Sequence, residues 1–121
     1  GGRARLVQVH LGRGRNHRWT LYDRAWTQVS MPDEAPSPAP ANLDSMLAAA
    51  ETLARPFDFA RIDFYEIDGQ PKFGEVTFYP GSGLDPFDPP ELDRHIGALW
   101  LAGIAGDRAE AEQEELQPAA A

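Results

Sequence analysis

Residues 61–83 read Arg61-Ile-Asp-Phe-Tyr-Glu-Ile-Asp-Gly-Gln-Pro-Lys-Phe-Gly-Glu-Val-Thr-Phe-Tyr-Pro-Gly-Ser-Gly83. Strand formers alternate on either side of Asp68-Gly69, a pair that marks a tight turn, and a Pro-Gly loop follows. The stretch predicts a hairpin of two strands over 58–67 and 71–79. Ala60, Ile62 and Phe64 fall on one face of the first strand, and Arg61, Asp63 and Tyr65 on the other. Two turns fit the composition. A strict two-residue loop at Asp68-Gly69 pairs Asp63 with Gly74 and sends Asp63 and Glu75 to opposite faces. A three-residue loop, Ile67-Asp-Gly69, with Gly69 in the left-handed bulge position, pairs Arg61 with Glu75. It gathers Arg61, Asp63, Glu75 and Thr77 on one face and leaves Ile62, Val76 and Phe78 for the core. Because a one-residue slip flips every side chain, the register decides the site, and the bulged turn is the expectation.

Outward from this hairpin, residues 5–11 and 17–22 also alternate with period two around Gly12-Arg-Gly-Arg-Asn16, which predicts a second hairpin. Residues 32–41 hold four prolines and read as a surface loop. Asn42 is a suitable helix N-cap, and Leu43, Met46, Leu47, Ala50 and Leu53 form an i, i+3, i+4 stripe, so a helix is expected over 43–54, ended by Pro56. Asp88-Pro-Pro-Glu91 opens a second helix with Asp88 as N-cap and a stripe of Leu92, Ile96, Leu99, Trp100 and Gly103. The fold class expected is α+β: an antiparallel sheet of about four strands with two helices on one face. The expected division is a domain over 1–106 and an acidic, alanine-rich tail over 107–121, either a frayed helix or disordered.

The chain has 121 residues, no cysteine and a net charge of -8. Disulfides, thiolate metal sites and cysteine nucleophiles are excluded. No stretch approaches the ~20 apolar residues of a membrane span. The first residues lack the apolar core of a signal peptide, and the expected location is cytoplasmic. Charge is unevenly placed: residues 1–24 sum to +5 and residues 25–121 to -13. A basic opening on an acidic remainder suits an anionic ligand near the first strands, or it is a solvated arginine-rich turn. Nucleic acid is not an expected partner, because the remainder repels a phosphate backbone.

Two carboxylates on neighbouring strands, Asp63 and Glu75, suit Mg²⁺, which takes one or two carboxylates together with substrate phosphates and water. Thr77 adds a hydroxyl. Arg61 carries a planar fork suited to a transferred phosphate. The plain alternative is that these are solvent-facing strand residues in ordinary salt bridges. Pro80-Gly-Ser-Gly83 can offer backbone N–H groups to an anion, or is simply a turn. His10 and Arg18, on the first hairpin, are candidates to face one substrate cleft. His10, His17 and His95 show no metal-ligand spacing.

The Arg-x-Asp strand, the turn, and Glu-x-Thr before a Pro-Gly loop resemble the C-terminal metal-binding signature of ATP-grasp enzymes. The run Gly74-Glu-Val-Thr-Phe-Tyr-Pro-Gly-Ser-Gly83, with Phe87-Asp-Pro89 behind it, is similar to the TupA-like ATP-grasp family of cell-surface polysaccharide biosynthesis. Val7-Gln-Val-His10 and Asn16-His-Arg18 through Tyr22-Asp-Arg-Ala-Trp26 agree with it, so the resemblance covers residues 5 to about 102. It implies the C-terminal part of an ATP-grasp fold, with Mg²⁺ and ATP as cofactors. Asp63 and Glu75 match the metal ligands and Glu75 also meets the nucleotide. Thr77 stands where many members use Asn. Arg61 matches the arginine that stabilises the transferred phosphoryl group, and Gly81, Ser82 and Gly83 match the segment lining the acceptor site. The implied reaction is ATP-dependent carboxylate–amine ligation on a small-molecule or glycan-precursor substrate. Such enzymes hold ATP with lysines from upstream segments, whereas this chain has a single lysine, Lys72. The expectation is therefore a C-terminal piece without turnover by itself, whose partners include the N-terminal lobe or another copy of the chain. The alternative is a non-catalytic glycan- or protein-binding module that keeps the fold.

Overall fold

The computed structural model describes residues 2–12, 14–29, 36–87 and 89–116. Four strands and two α-helices occur among them, in the order β1 (Leu6–Leu11), β2 (Arg18–Asp23), α1 (Leu43–Ala54), β3 (Arg61–Ile67), β4 (Gln70–Thr77) and α2 (Pro90–Leu116), with one 3-10 turn over Pro80–Gly83. The class is α+β, as expected. The single sheet is not: β1 pairs antiparallel with β2 and β3 with β4, giving two separate two-stranded sheets.

Isolated two-stranded hairpins are marginal in water, so each needs packing or anchoring from outside. Among the described residues the buried apolar side chains are few: Leu21 and Tyr22 from β2, Leu47 from α1 and Leu92 from α2, with Thr20 the buried hydroxyl residue. Tyr22 is the most enclosed. Its ring stacks on Trp26 at 4.3 Å, and its hydroxyl accepts the Ser37 N–H. Trp26 Nε1 donates to the Ser37 carbonyl at 2.9 Å. These contacts lash the far end of the long connection to β2. The proline-rich loop expected over 32–41 lies partly outside the described residues, as do Arg13 in the first turn and the N-cap proposed at Asp88.

α1 holds the two hairpins through polar bonds at its opposite ends. Near its C-terminal end, Glu51 accepts the Ala4 N–H at 3.0 Å and bonds the guanidinium of Arg24, which follows β2. At its N-terminal end, Asn42 sits at the N-cap position without making a capping bond. Its side-chain amide instead donates to the Gly69 carbonyl in the β3–β4 turn. The helix begins and ends as the sequence predicts. Of its apolar stripe, Leu47 is buried whereas Leu53 is exposed.

α2 runs without a break from Pro90 through the acidic segment to Leu116. Alanine, glutamate, glutamine and arginine are strong helix formers, which sustains the helix beyond its apolar stripe. Phe59 meets Trp100 at 5.5 Å, tying α2 to the residues before β3.

Partial burial alone would raise the Glu51 carboxyl, but the Ala4 N–H and the Arg24 guanidinium outweigh it, helped by the charge of Arg3, and hold it below the ordinary carboxylate range. A carboxyl lowered by folding contributes stability above its unfolded value of about 4.3 and loses that contribution as pH falls through its folded value. Acid unfolding followed by circular dichroism should therefore show a shallower loss of stability below about pH 4.3 in Glu51→Gln than in the parent. The variant should also be less stable at pH 7.

Candidate functional site

The β3–β4 hairpin assembles the candidate site, and the register does so in a way the sequence reading did not anticipate. Ile67 pairs with Gln70, Tyr65 with Lys72 and Phe64 with Phe73, so the loop is the two-residue Asp68-Gly69 turn. Both turn residues have positive φ, 52° and 71°, the conformation of a type I′ turn. The expected three-residue bulged turn is absent, and Arg61 pairs with Thr77 rather than Glu75.

The bulge exists, but five residues further along β4. Between Ile62↔Val76 and Phe64↔Phe73 the register shifts, so that Asp63 stands opposite both Gly74 and Glu75. A bulge of this kind turns both of its residues toward the same side of the sheet. Glu75 thereby joins Arg61, Asp63 and Thr77, which a strict two-residue turn alone would have prevented. Phe73, between the turn and the bulge, stays on the face of Phe64, where the two rings meet edge-on at 6.3 Å.

Gly74 is the residue that permits this packing. A Cβ at position 74 would lie 2.9 Å from the Tyr65 ring and 3.1 Å from the Asp63 carbonyl oxygen. A glycine inside a strand pattern is a known bulge signal, and it was the available clue to the register.

The resulting cluster is compact. Arg61 donates from Nε to Asp63 Oδ1 at 2.8 Å and from Nη2 to Asp63 Oδ2 at 2.9 Å, a two-point fork. The same Nη2 also reaches Glu75 Oε1 at 3.1 Å and Thr77 Oγ1 at 3.4 Å. Thr77 Oγ1 donates to Glu75 Oε1 at 3.2 Å. Asp63 is 21% and Glu75 64% exposed, so one carboxylate is held in the hairpin and the other reaches into solvent. Arg61 compensates both charges where they converge.

This donor set fits Mg²⁺ only in company. Two carboxylates and a hydroxyl are hard oxygen ligands, and Mg²⁺ commonly takes one or two carboxylates with phosphate oxygens and water. An all-protein cage is a different matter, because among the described residues no group of three or more His, Asp or Glu side chains comes together.

The remaining candidates separate. Gly81, Ser82 and Gly83 all have positive φ, at 58°, 56° and 71°. The Ser82 N–H donates back to the Tyr79 carbonyl and the Leu84 N–H to the Gly81 carbonyl, so these two donors point into the turn and not toward an anion. The Asp85 carboxylate also packs over Gly81, where a Cβ would fall 2.1 Å from its Oδ2. On the first hairpin, His10 pairs across from Trp19 and Arg18 across from Leu11. Directly opposed residues share a face and neighbours alternate, so Arg18 lies on the opposite face from His10 and the two do not share a cleft. His10 instead meets His17, Nδ1 to Nε2 at 2.9 Å with the rings stacked at 5.1 Å. The seven-residue separation concealed that pair in the sequence.

A family model described as TupA-like ATPgrasp matches residues 1–101. No curated protein and no solved structure matches the chain.

Replacing Gly74 by Val should displace the Tyr65 ring or the bulge itself and cost about 1–3 kcal/mol of stability, as overpacking does. Chemical denaturation would measure the loss. Amide exchange should quicken along Asp63–Glu75 more than at the Asp68-Gly69 turn.

Proposed function

The chain belongs to the TupA-like ATP-grasp family, and from that premise we propose that it binds Mg²⁺ together with nucleotide phosphates through Arg61, Asp63 and Glu75. The observation that carries this reading is the convergence of those three side chains on one face by way of the Gly74–Glu75 bulge. Asp63 and Glu75 would hold the metal, with Thr77 beside Glu75 to orient its carboxylate. When bound, Mg²⁺ would neutralise phosphate charge and polarise the phosphoryl group. Arg61 supplies the complementary positive charge. Its fork now spans the two carboxylates, and a phosphate arriving with its metal offers the guanidinium the same planar oxygen geometry. That pre-organised charge is what phosphoryl transfer asks of a protein.

The reaction class that follows is ATP-dependent carboxylate–amine ligation in cell-surface polysaccharide biosynthesis, carried out in the cytoplasm where ATP is abundant. The substrate would be a small molecule or glycan precursor presented near Gly81–Gly83. With one lysine in the sequence, the described residues supply the metal and phosphate side of the site, and the chain by itself is proposed to have no turnover.

A second reading, a non-catalytic glycan- or protein-binding module on the same fold, draws on the exposed aromatic and apolar residues of this end of the molecule. Phe73, Phe78, Tyr79 and Leu84 are all exposed, Tyr79 by 78% and Leu84 by 83%.

Isothermal titration of ADP in the presence and absence of Mg²⁺ separates the two. Loss of a group that merely supports a metal ligand costs roughly 10–100-fold in affinity, and loss of a ligand should cost at least as much. Asp63→Asn and Glu75→Gln should therefore weaken Mg²⁺-dependent ADP binding by that factor, with Thr77→Val affected less. Binding unchanged in both carboxylate variants, or independent of Mg²⁺, favours the second reading.

A further inference from the structure

The basic opening of the chain has no part in the cluster on β3 and β4. It lines a different concavity, a cleft of about 600 Å³ between the start of the first hairpin and α2. That size is typical of small-molecule sites. Arg3 and Arg5 come from the extended segment before β1, Arg24 follows β2, and His95 faces them from α2. Val29 and Leu99 supply apolar wall.

Three arginines line this cleft against one carboxylate, Asp23, whose Oδ1 already accepts the Thr27 N–H. Arg24 is bonded to Glu51. Arg3 acts on the Glu51 carboxylate only through its charge. Arg3 and Arg5 are exposed and, among the described residues, neither makes a hydrogen bond or ion pair with a protein group. In a chain of net charge -8, a cleft with two uncommitted guanidiniums is where an anion gains most, because cationic clefts with low-dielectric walls concentrate the field.

We infer that this cleft binds a phosphorylated small molecule. Arg3 and Arg5 take the phosphate oxygens, for which the guanidinium fork is suited. Val29 and Leu99 take a non-polar part of the ligand. The acidic remainder of the chain disfavours a long polyanion, so the ligand is compact. The site lies on elements other than β3 and β4 and needs no metal, so it stands or falls separately from the Mg²⁺ reading.

The test is titration of the full chain with phenyl phosphate and with inorganic phosphate, in EDTA to remove metal, read by calorimetry and by amide chemical shifts. Phenyl phosphate should bind more tightly than inorganic phosphate and shift resonances of residues 3–6, Val29 and Leu99. Arg3→Gln with Arg5→Gln should weaken it by more than about tenfold, the least that one charged hydrogen bond is worth, while circular dichroism stays that of the parent. Lys72→Gln, which removes a positive charge on β4 far from this cleft, should leave it within about twofold. Equal affinity in the Arg3/Arg5 variant, a matching loss in Lys72→Gln, equal binding of the two probes, or no binding at millimolar concentration would each overturn the inference.

Discussion

One surplus residue in β4 governs the candidate site. The turn at Asp68-Gly69 fixes a register in which Glu75 would belong to the wrong face, and the bulge at Gly74–Glu75 opposite Asp63 corrects it. The turn already sets Phe73 opposite Phe64, and beyond the bulge Ile62 and Val76 pair behind the charged face. A single local irregularity thus satisfies two demands that a regular hairpin cannot meet at once: an unbroken apolar face and two carboxylates beside one arginine. Bulges recur next to active sites, where they re-aim a side chain at the cost of a local bend in the strand.

Arg61 places a positive charge between the two carboxylates of the cluster. Two carboxylates meeting at one nitrogen would repel if left bare, and the shared guanidinium removes that cost. Partly exposed ion pairs contribute little to stability, typically 0–1 kcal/mol. Their value here is positional. The ties between elements lie elsewhere, at Glu51 with Ala4 and Arg24 and at Asn42 with Gly69, where α1 grips one hairpin with each end. Several large apolar side chains remain exposed around this frame, including Leu53, Phe73 and Trp100. Leu53 and Phe73 line an open apolar groove with Ala48, Ala49 and Phe64.

The elements were legible because their signals are local. The stripe from Leu43 to Leu53 gave α1 its bounds, and alternation marked all four strands to within a few residues. The division into two sheets was not legible, since alternation says which face a residue takes and nothing about which hairpins lie side by side. The convergence of Arg61, Asp63, Glu75 and Thr77 was expected, though through the wrong turn. Asp-Gly serves both two-residue and bulged loops, and the deciding signal was Gly74 in mid-strand. His10 with His17 and Asp85 over Gly81 were hidden because both depend on how loops fold back. His10 and Arg18, expected to face one cleft, fall on opposite faces by the parity of the β1–β2 register.

In the function proposed above, Asp63 and Glu75 act as one metal- and phosphate-binding unit. The most direct measurement is paramagnetic broadening by Mn²⁺, used in place of Mg²⁺, on the amide spectrum of the full chain with and without ADP. Substoichiometric Mn²⁺ with ADP should first broaden Asp63, Glu75 and Thr77 and their strand neighbours, and Glu75→Gln should abolish this. Broadening confined to the acidic end of α2, or unchanged in Glu75→Gln, would contradict it.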